Sequence, residues 1–330
     1  VTRTGLGEQV SGFLRHAAAA RRGRRRAESA PAAASELPVC VVYGNCQAVA
    51  LRLLLEASPR FTEAYRTVHV PPVHEITEGS LPGVEAAIGC ASLFVTHPIR
   101  DGYHGFPIGS EQIAGFARER CRLVTVPPLY YDGLYPFQVY VRDERGIPIA
   151  APRSTYHDVR FLHCAAKRWD VARAAAWLAD WRPDPDGVRT LAAYCKQRLL
   201  GVEAPLDVHV VERLTAPDLH SRAFFTINHP SNAALAEVAA GVHRVLELPY
   251  EQPVTVVEEL LGQCVTPLEA PVIDALDLVA EPRHDWIIDG SSLTPSELLS
   301  IHIDWYREHP GIVAAGLEQH QRRSTILGLS

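Results

Sequence analysis

The sequence predicts an α/β fold: one central, mostly parallel sheet covered by helices, with a helical insertion and a helical C-terminal tail. Three observations predict it. Short apolar runs alternate with segments whose apolar residues recur at helical spacing, the pattern of strand and helix that builds a parallel sheet. The first runs stop at Gly, His-Pro or Pro-Pro, so polar residues gather just past strand ends. Residues 151–222 then carry helical spacing with no strand-like run, before one further strand.

Residues 39–43 read as a buried strand that runs into Gly44-Asn45-Cys46-Gln47, and Leu51, Leu54 and Leu55 mark the helix that follows. Gly44 permits a sharp turn. Residues 67–70 are a short strand and 83–89 a short helix. Residues 92–96 form a strand leading into His97-Pro98-Ile99-Arg100-Asp101-Gly102-Tyr103. A helix over 110–120 with Ser110 as N-cap precedes a strand over 122–126, stopped by Pro127-Pro128. Residues 137–150 are a loop or hairpin carrying Arg142, Asp143, Glu144 and Arg145 around Gly146. Helices are expected over 155–167, 170–181, 187–200 and 206–219. The strand 223–227 returns the chain to the same sheet and ends at Asn228-His229-Pro230-Ser231-Asn232, before a helix over 233–246. The tail from Pro253 adds helices, notably 294–308 with Thr294 as N-cap and Pro295 at the first helical position.

A chain of 330 residues with 47% hydrophobic and 21% charged residues has the composition of a soluble globular protein. Its net charge is −6, and residues 1–26 hold +6, which leaves −12 on the remainder. An acidic body argues against nucleic acid as the partner. The Arg/Ala-rich stretch to residue 37 lacks the apolar pattern of a core and reads as a disordered or loosely docked leader ahead of a single catalytic domain over 38–330. No run reaches the roughly 20 apolar residues of a membrane span. Seven cysteines without paired spacing point to reduced thiols in a cytoplasmic protein. His157, Asp158 and His163 do not share one helical face, so no metal site is expected.

In an open parallel sheet, ligands gather at the carboxyl ends of the strands. Cys46, His97 and His229 each follow an expected strand, which makes a nucleophile with one of two imidazole bases. At a helix N-terminus, unpaired N–H groups and the dipole favour a thiolate and can hold an anion. Asn45 and Asn228 offer amide donors to an oxyanion, and Asp101 or Asp132 could orient a histidine. Arg100 with Tyr103 could clamp a phosphate or carboxylate. Tyr130, Tyr131 and Tyr135 could line a sugar or nucleotide site, although such clusters more often fill cores.

Taken together, Gly44-Asn45-Cys46-Gln47, the His97 to Tyr103 element, the Pro128 to Pro136 block, Tyr156-His157-Asp158 and Asn228-His229-Pro230-Ser231-Asn232 resemble the WcbI-type polysaccharide-biosynthesis acetyltransferases. The likeness runs over about residues 38–250. It implies binding of coenzyme A and acyl transfer from acyl-CoA to a sugar or secondary-metabolite acceptor. On that reading Gly44, Gln47, Arg100, Tyr103, Ser231 and Asn232 contact the coenzyme, while Cys46, His229, His97, Asn45 and Asn228 carry the chemistry. More distantly, the plan resembles SGNH hydrolases, but the aspartate three residues before their histidine falls here at Thr226. A thiol-dependent hydrolase and a non-catalytic binding module remain alternatives on the same residues.

Overall fold

The computed structural model of the protein describes residues 37–251, 256 and 258–329. The expected leader thus lies outside the described residues except for Leu37. Strands β1 (Val39–Tyr43), β2 (Arg66–Val68), β3 (Leu93–Thr96) and β4 (Arg122–Thr125) form a parallel sheet in the order β2-β1-β3-β4. Both faces of its centre are covered. Cys40, Val42, Leu93 and Val95 enter one core, and Val39, Val41, Tyr43 and Phe94 enter another. A strand buried on both faces needs apolar residues at every position, which is why β1 reads Val-Cys-Val-Val-Tyr without alternation.

Helices α1 (Cys46–Glu56), α2 (Pro59–Ala64), α3 (Leu81–Gly89) and α4 (Ser110–Ala114) connect these strands. The fourth is shorter than expected, because Gly115 takes its C-cap position. Its N-cap is Gly109 and not Ser110, whose hydroxyl instead accepts from the Ile99 N–H at 2.7 Å and donates to the His97 carbonyl at 2.5 Å. That bracing ties the loop after β3 to the helix behind it.

Beyond the sheet, β5 (Gln138–Val139) pairs antiparallel with β8 (His157–Asp158), and β6 (Val141–Arg142) with β7 (Pro148–Ile149), the latter being the hairpin expected over 137–150. The insertion is built from α5 (Val159–Ala166), α6 (Val171–Asp180), α7 (Pro185–Glu203) and α8 (Val211–Leu214). The last is only a remnant of the helix expected over 206–219. Asp207 leaves the helical path to accept from the backbone and hydroxyl of Thr125, both at 2.7 Å, and the Glu203 carboxylate accepts from the N–H groups of Val210 and Val211.

One expectation is overturned. The run after the insertion does not join the parallel sheet: β9 (Phe224–Thr226) folds back on β10 (His229–Pro230) as a separate antiparallel pair. The edge of β4 is already occupied at Thr125 by Asp207 and Val208. The β9 end docks on the loop beyond β4 instead, where the Tyr131 N–H donates to the Ile227 carbonyl at 2.8 Å and the Ile227 N–H to Gln138 Oε1 at 3.0 Å.

After α9 (Asn232–Val245) the tail is not purely helical either. β11 (Cys264–Val265), β12 (Trp286–Ile288) and β13 (Ser291–Leu293) form an antiparallel sheet, with α10 (Ala270–Ala275) between the first two. The β12–β13 turn is Asp289-Gly290, both at positive φ (49° and 77°), the Asp-Gly signal of a tight hairpin. The chain then finishes in α11 (Pro295–Glu308), α12 (Pro310–Gln319) and α13 (Gln321–Ile326). Thr294 is the N-cap of α11, as expected, and Glu297 caps it reciprocally.

Candidate functional site

The turn after β1 delivers Cys46 as the first residue of α1. Asn45 is the N-cap, and its Oδ1 accepts from the Gln47 N–H at 2.9 Å. Gly44 is required here on two grounds. Its φ is +155°, and a Cβ would lie 2.3 Å from Nδ1 of His97. The imidazole of His97 thus packs directly against the turn backbone, and the His97 backbone N–H donates to the Tyr43 carbonyl at 3.0 Å. A third segment is tied to the same turn, since the Val73 N–H donates to the Gly44 carbonyl at 2.9 Å and brings Glu75 into the electrostatic range of Cys46.

Gln47 is buried and fully engaged. Its Nε2 donates to the carbonyls of Leu129 (2.8 Å) and Asn228 (2.9 Å), and its Oε1 accepts from the Leu129 N–H at 2.8 Å. Its role is therefore to hold segments together, and its amide has no free end for a ligand. His229 reaches the neighbourhood of Cys46 through this bond between adjacent residues, not through a shared sheet edge. Ser231 and Asn232 are likewise structural. Ser231 Oγ caps α9 by accepting from the Ala234 N–H, and the Asn232 side chain bonds the backbone of Glu258 and Leu260.

Burial lowers the pKa of His97 and of His229 to about 4, so both rings are neutral near pH 7. Nδ1 of each ring is buried with no hydrogen-bond partner among the described residues. Neither aspartate orients them. Asp132 is occupied by Arg323, Arg198 and Cys195, which reflects its place between α7 and α13, and exposed Asp101 packs over Gly109. Thr226, where the SGNH-type carboxylate would fall, accepts from the His229 N–H at 3.1 Å and bonds the Tyr156 hydroxyl at 2.9 Å. The Tyr156 hydroxyl also donates to Asn228 Oδ1 at 2.6 Å, which turns that amide oxygen inward.

The thiol departs from the sequence expectation in sign. Burial raises the Cys46 pKa to about 11 and outweighs the N–H groups of Gln47 and Cys46 that point at the sulfur and lower it. Among the described residues no hydrogen bond joins this sulfur to either imidazole, so the resting site holds a neutral thiol and two neutral rings rather than an ion pair.

Around Cys46 stand Tyr103, Tyr130 and Tyr140. Burial raises all three phenols, and each also feels the Cys46 sulfur and the Arg142 guanidinium. The Asn45 side chain lies beside Tyr130 and opposes the rise in its pKa. Arg142 lies 5.0 Å over the Tyr140 ring, and Arg100 lowers the pKa of Tyr103 through its charge. Of the three tyrosines weighed from sequence, Tyr130 is near Cys46, while Tyr131 and Tyr135 fill the core. Tyr140 carried no chemical signal in the sequence, and Tyr156 stood out only within the Tyr156-His157-Asp158 element of the family resemblance. Arg142 stood out there only as part of a charged hairpin.

Comparisons with known proteins agree with this plan. The family model described as polysaccharide biosynthesis enzyme WcbI matches residues 39–251. No curated protein matches the chain. A solved structure described as WcbI, a novel polysaccharide biosynthesis enzyme, superposes with a TM-score of 0.74 at 19% sequence identity, over 88% of this chain and 98% of that one. It is described as native protein without a disulfide bond between coenzyme A and one of its cysteines.

Proposed function

The chain belongs to the WcbI family of polysaccharide biosynthesis enzymes, and from that membership we propose that it is a coenzyme A-dependent acyltransferase acting on a sugar or secondary-metabolite acceptor. One observation carries the reading: a helix N-terminus bearing Cys46 has Tyr103, Tyr130 and Tyr140 about it, with Arg100 and Arg142 beside them. Neither arginine is held in an ion pair among the described residues. Two guanidinium groups outside any such ion pair, of which Arg142 also donates to the Gly146 carbonyl at 2.9 Å, stand beside aromatic faces and helix N–H groups and fit a phosphorylated ligand.

When bound, acyl-coenzyme A would supply an activated thioester. The chain's own groups then favour direct transfer over a covalent route. Cys46 stays a thiol at neutral pH, because burial holds its pKa well above 7. His229 is half-buried and neutral, and a neutral imidazole can accept the proton of an acceptor hydroxyl as that oxygen attacks. The α1 N–H groups and the Asn45 amide stand where negative charge would develop. His97, locked against Gly44, fixes the turn that aims them.

Calorimetry with coenzyme A, followed by acetyl-coenzyme A turnover with and without sugar acceptors, tests this. Consumption that needs the second substrate supports transfer. Equal consumption in water alone would make the protein a thioesterase, and binding without turnover would make it a binding module.

A further inference from the structure

Residues 319–323, at the junction of α12 and α13, hold the segment that carries Tyr140 and Arg142. The side-chain amide of Gln319 makes both backbone hydrogen bonds of Arg142: its Oε1 accepts from the N–H at 3.0 Å and its Nε2 donates to the carbonyl at 2.8 Å. His320 Nε2 bonds the Tyr140 carbonyl at 2.8 Å. Arg323 pairs with Asp132 and donates to the Pro136 carbonyl at 2.8 Å. Three side chains within five residues thus fix the segment that carries Tyr130, Tyr140 and Arg142.

The packing beneath is tight on both sides. A Cβ on Gly316, one turn before Gln319, would come within 2.8 Å of Leu162 and 2.9 Å of Val141. A Cβ on Gly187 of α7 would lie 2.0 Å from the Ile326 carbonyl at the end of α13. Small residues at both places let the two helices approach closely enough for the side chains above them to reach.

Hydrogen bonds to a backbone fix where its side chain starts. Gln319 sits at the surface and adds little to the core, yet it clamps both backbone groups of the residue whose guanidinium lies over Tyr140. We infer that Gln319, with His320 and Arg323, is a positioning element that sets Arg142 and Tyr140 against Cys46, so that the C-terminal helices complete the site. It lies beyond residues 39–251, where the family model matches, and rests on the proposed role of Arg142 toward a phosphorylated ligand.

Two measurements separate this inference from the functional reading. In calorimetry with coenzyme A, Gln319→Ala should bind about tenfold more weakly, the factor expected from losing two ordinary hydrogen bonds. Arg142→Ala should weaken binding at least as much, and Gln319→Ala with Arg142→Ala no further, because Gln319 acts through Arg142. Gln319→Glu keeps the acceptor and loses the donor, and should fall between. Wild-type affinity in Gln319→Ala, or losses that multiply in the double variant, overturns the inference. If wild-type protein binds no coenzyme A, the functional reading fails, and iodoacetamide labelling decides the clamp alone. Gln319→Ala should then label Cys46 several-fold faster while buried Cys164 and Cys195 stay unreactive. Unchanged Cys46 labelling, or a general rise at all three, overturns the clamp.

Discussion

The side-chain amide of Gln47 donates to the Asn228 carbonyl at 2.9 Å, so the residue after Cys46 is bonded to the residue before His229. The same amide closes two bonds with Leu129. Gln47→Leu keeps the volume and removes all three, leaving the buried Leu129 N–H without a partner. Unfolding in urea should show a loss of about 3 kcal/mol. A loss below about 1 kcal/mol would mean that this amide does not hold the two halves of the site together.

Alkylation of Cys46 should be slow at neutral pH and should climb about tenfold per pH unit from pH 7 to 9, following the thiolate fraction of a group with pKa about 11. Exposed Cys90 provides the internal reference in the same peptide-mass experiment. A plateau for Cys46 by pH 8 would show that the helix N-terminus prevails over burial.

Acid should destabilise the fold before its carboxylates titrate. Burial depresses His97, His220 and His229 to about 4 and His302 to about 3. The unfolded chain titrates near 6.5, so between these values it binds more protons than the folded one. The stability tied to these neutral rings is complete above about pH 6.5 and is lost as pH falls toward 4. Urea midpoints should therefore drop between pH 7 and 5, and His302→Gln should flatten the slope. A constant midpoint over that range would contradict the burial of these rings.

Gly44→Ala should cost about 2 kcal/mol or more, since the new methyl would meet His97 Nδ1 at 2.3 Å in a backbone conformation that favours glycine. Adding His97→Ala opens that space and should restore part of the loss, although the φ penalty stays. Thermal melts of the two single variants and the double variant check this. A double variant whose losses simply add would mean that the two residues do not touch.

The parallel sheet was legible because β1 and β3 are buried on both faces and carry almost unbroken apolar runs, and the turn at Gly44 because a glycine follows such a run. Phe224–Thr226 has the same local pattern as a sheet strand, and Asp207 and Val208, on a distant segment, close the edge it would have joined. Composition could not reveal that competition. The strands at 264–265 and 286–293 are too short to show a period, though Asp289-Gly290 was a readable hairpin signal. Within the candidate site, Cys46 and the two histidines were singled out from strand ends. The sign of the thiol shift was missed because local sequence displays a helix N-terminus but not the burial around it. Tyr140, Arg142 and their partners at 319–323 are invisible for the same reason, since their meaning arises only when residues about 180 positions apart touch.

The most direct test of direct transfer is acetyl-coenzyme A turnover with a sugar acceptor, measured for Cys46→Ser and His229→Ala beside intact-mass analysis of the wild-type protein. The account predicts that Cys46→Ser retains activity within about tenfold, that His229→Ala loses roughly 10²- to 10⁴-fold, and that no acetyl group accumulates on Cys46. An acetyl adduct on Cys46 that forms as fast as turnover, with Cys46→Ser inactive and His229→Ala near normal, would contradict it.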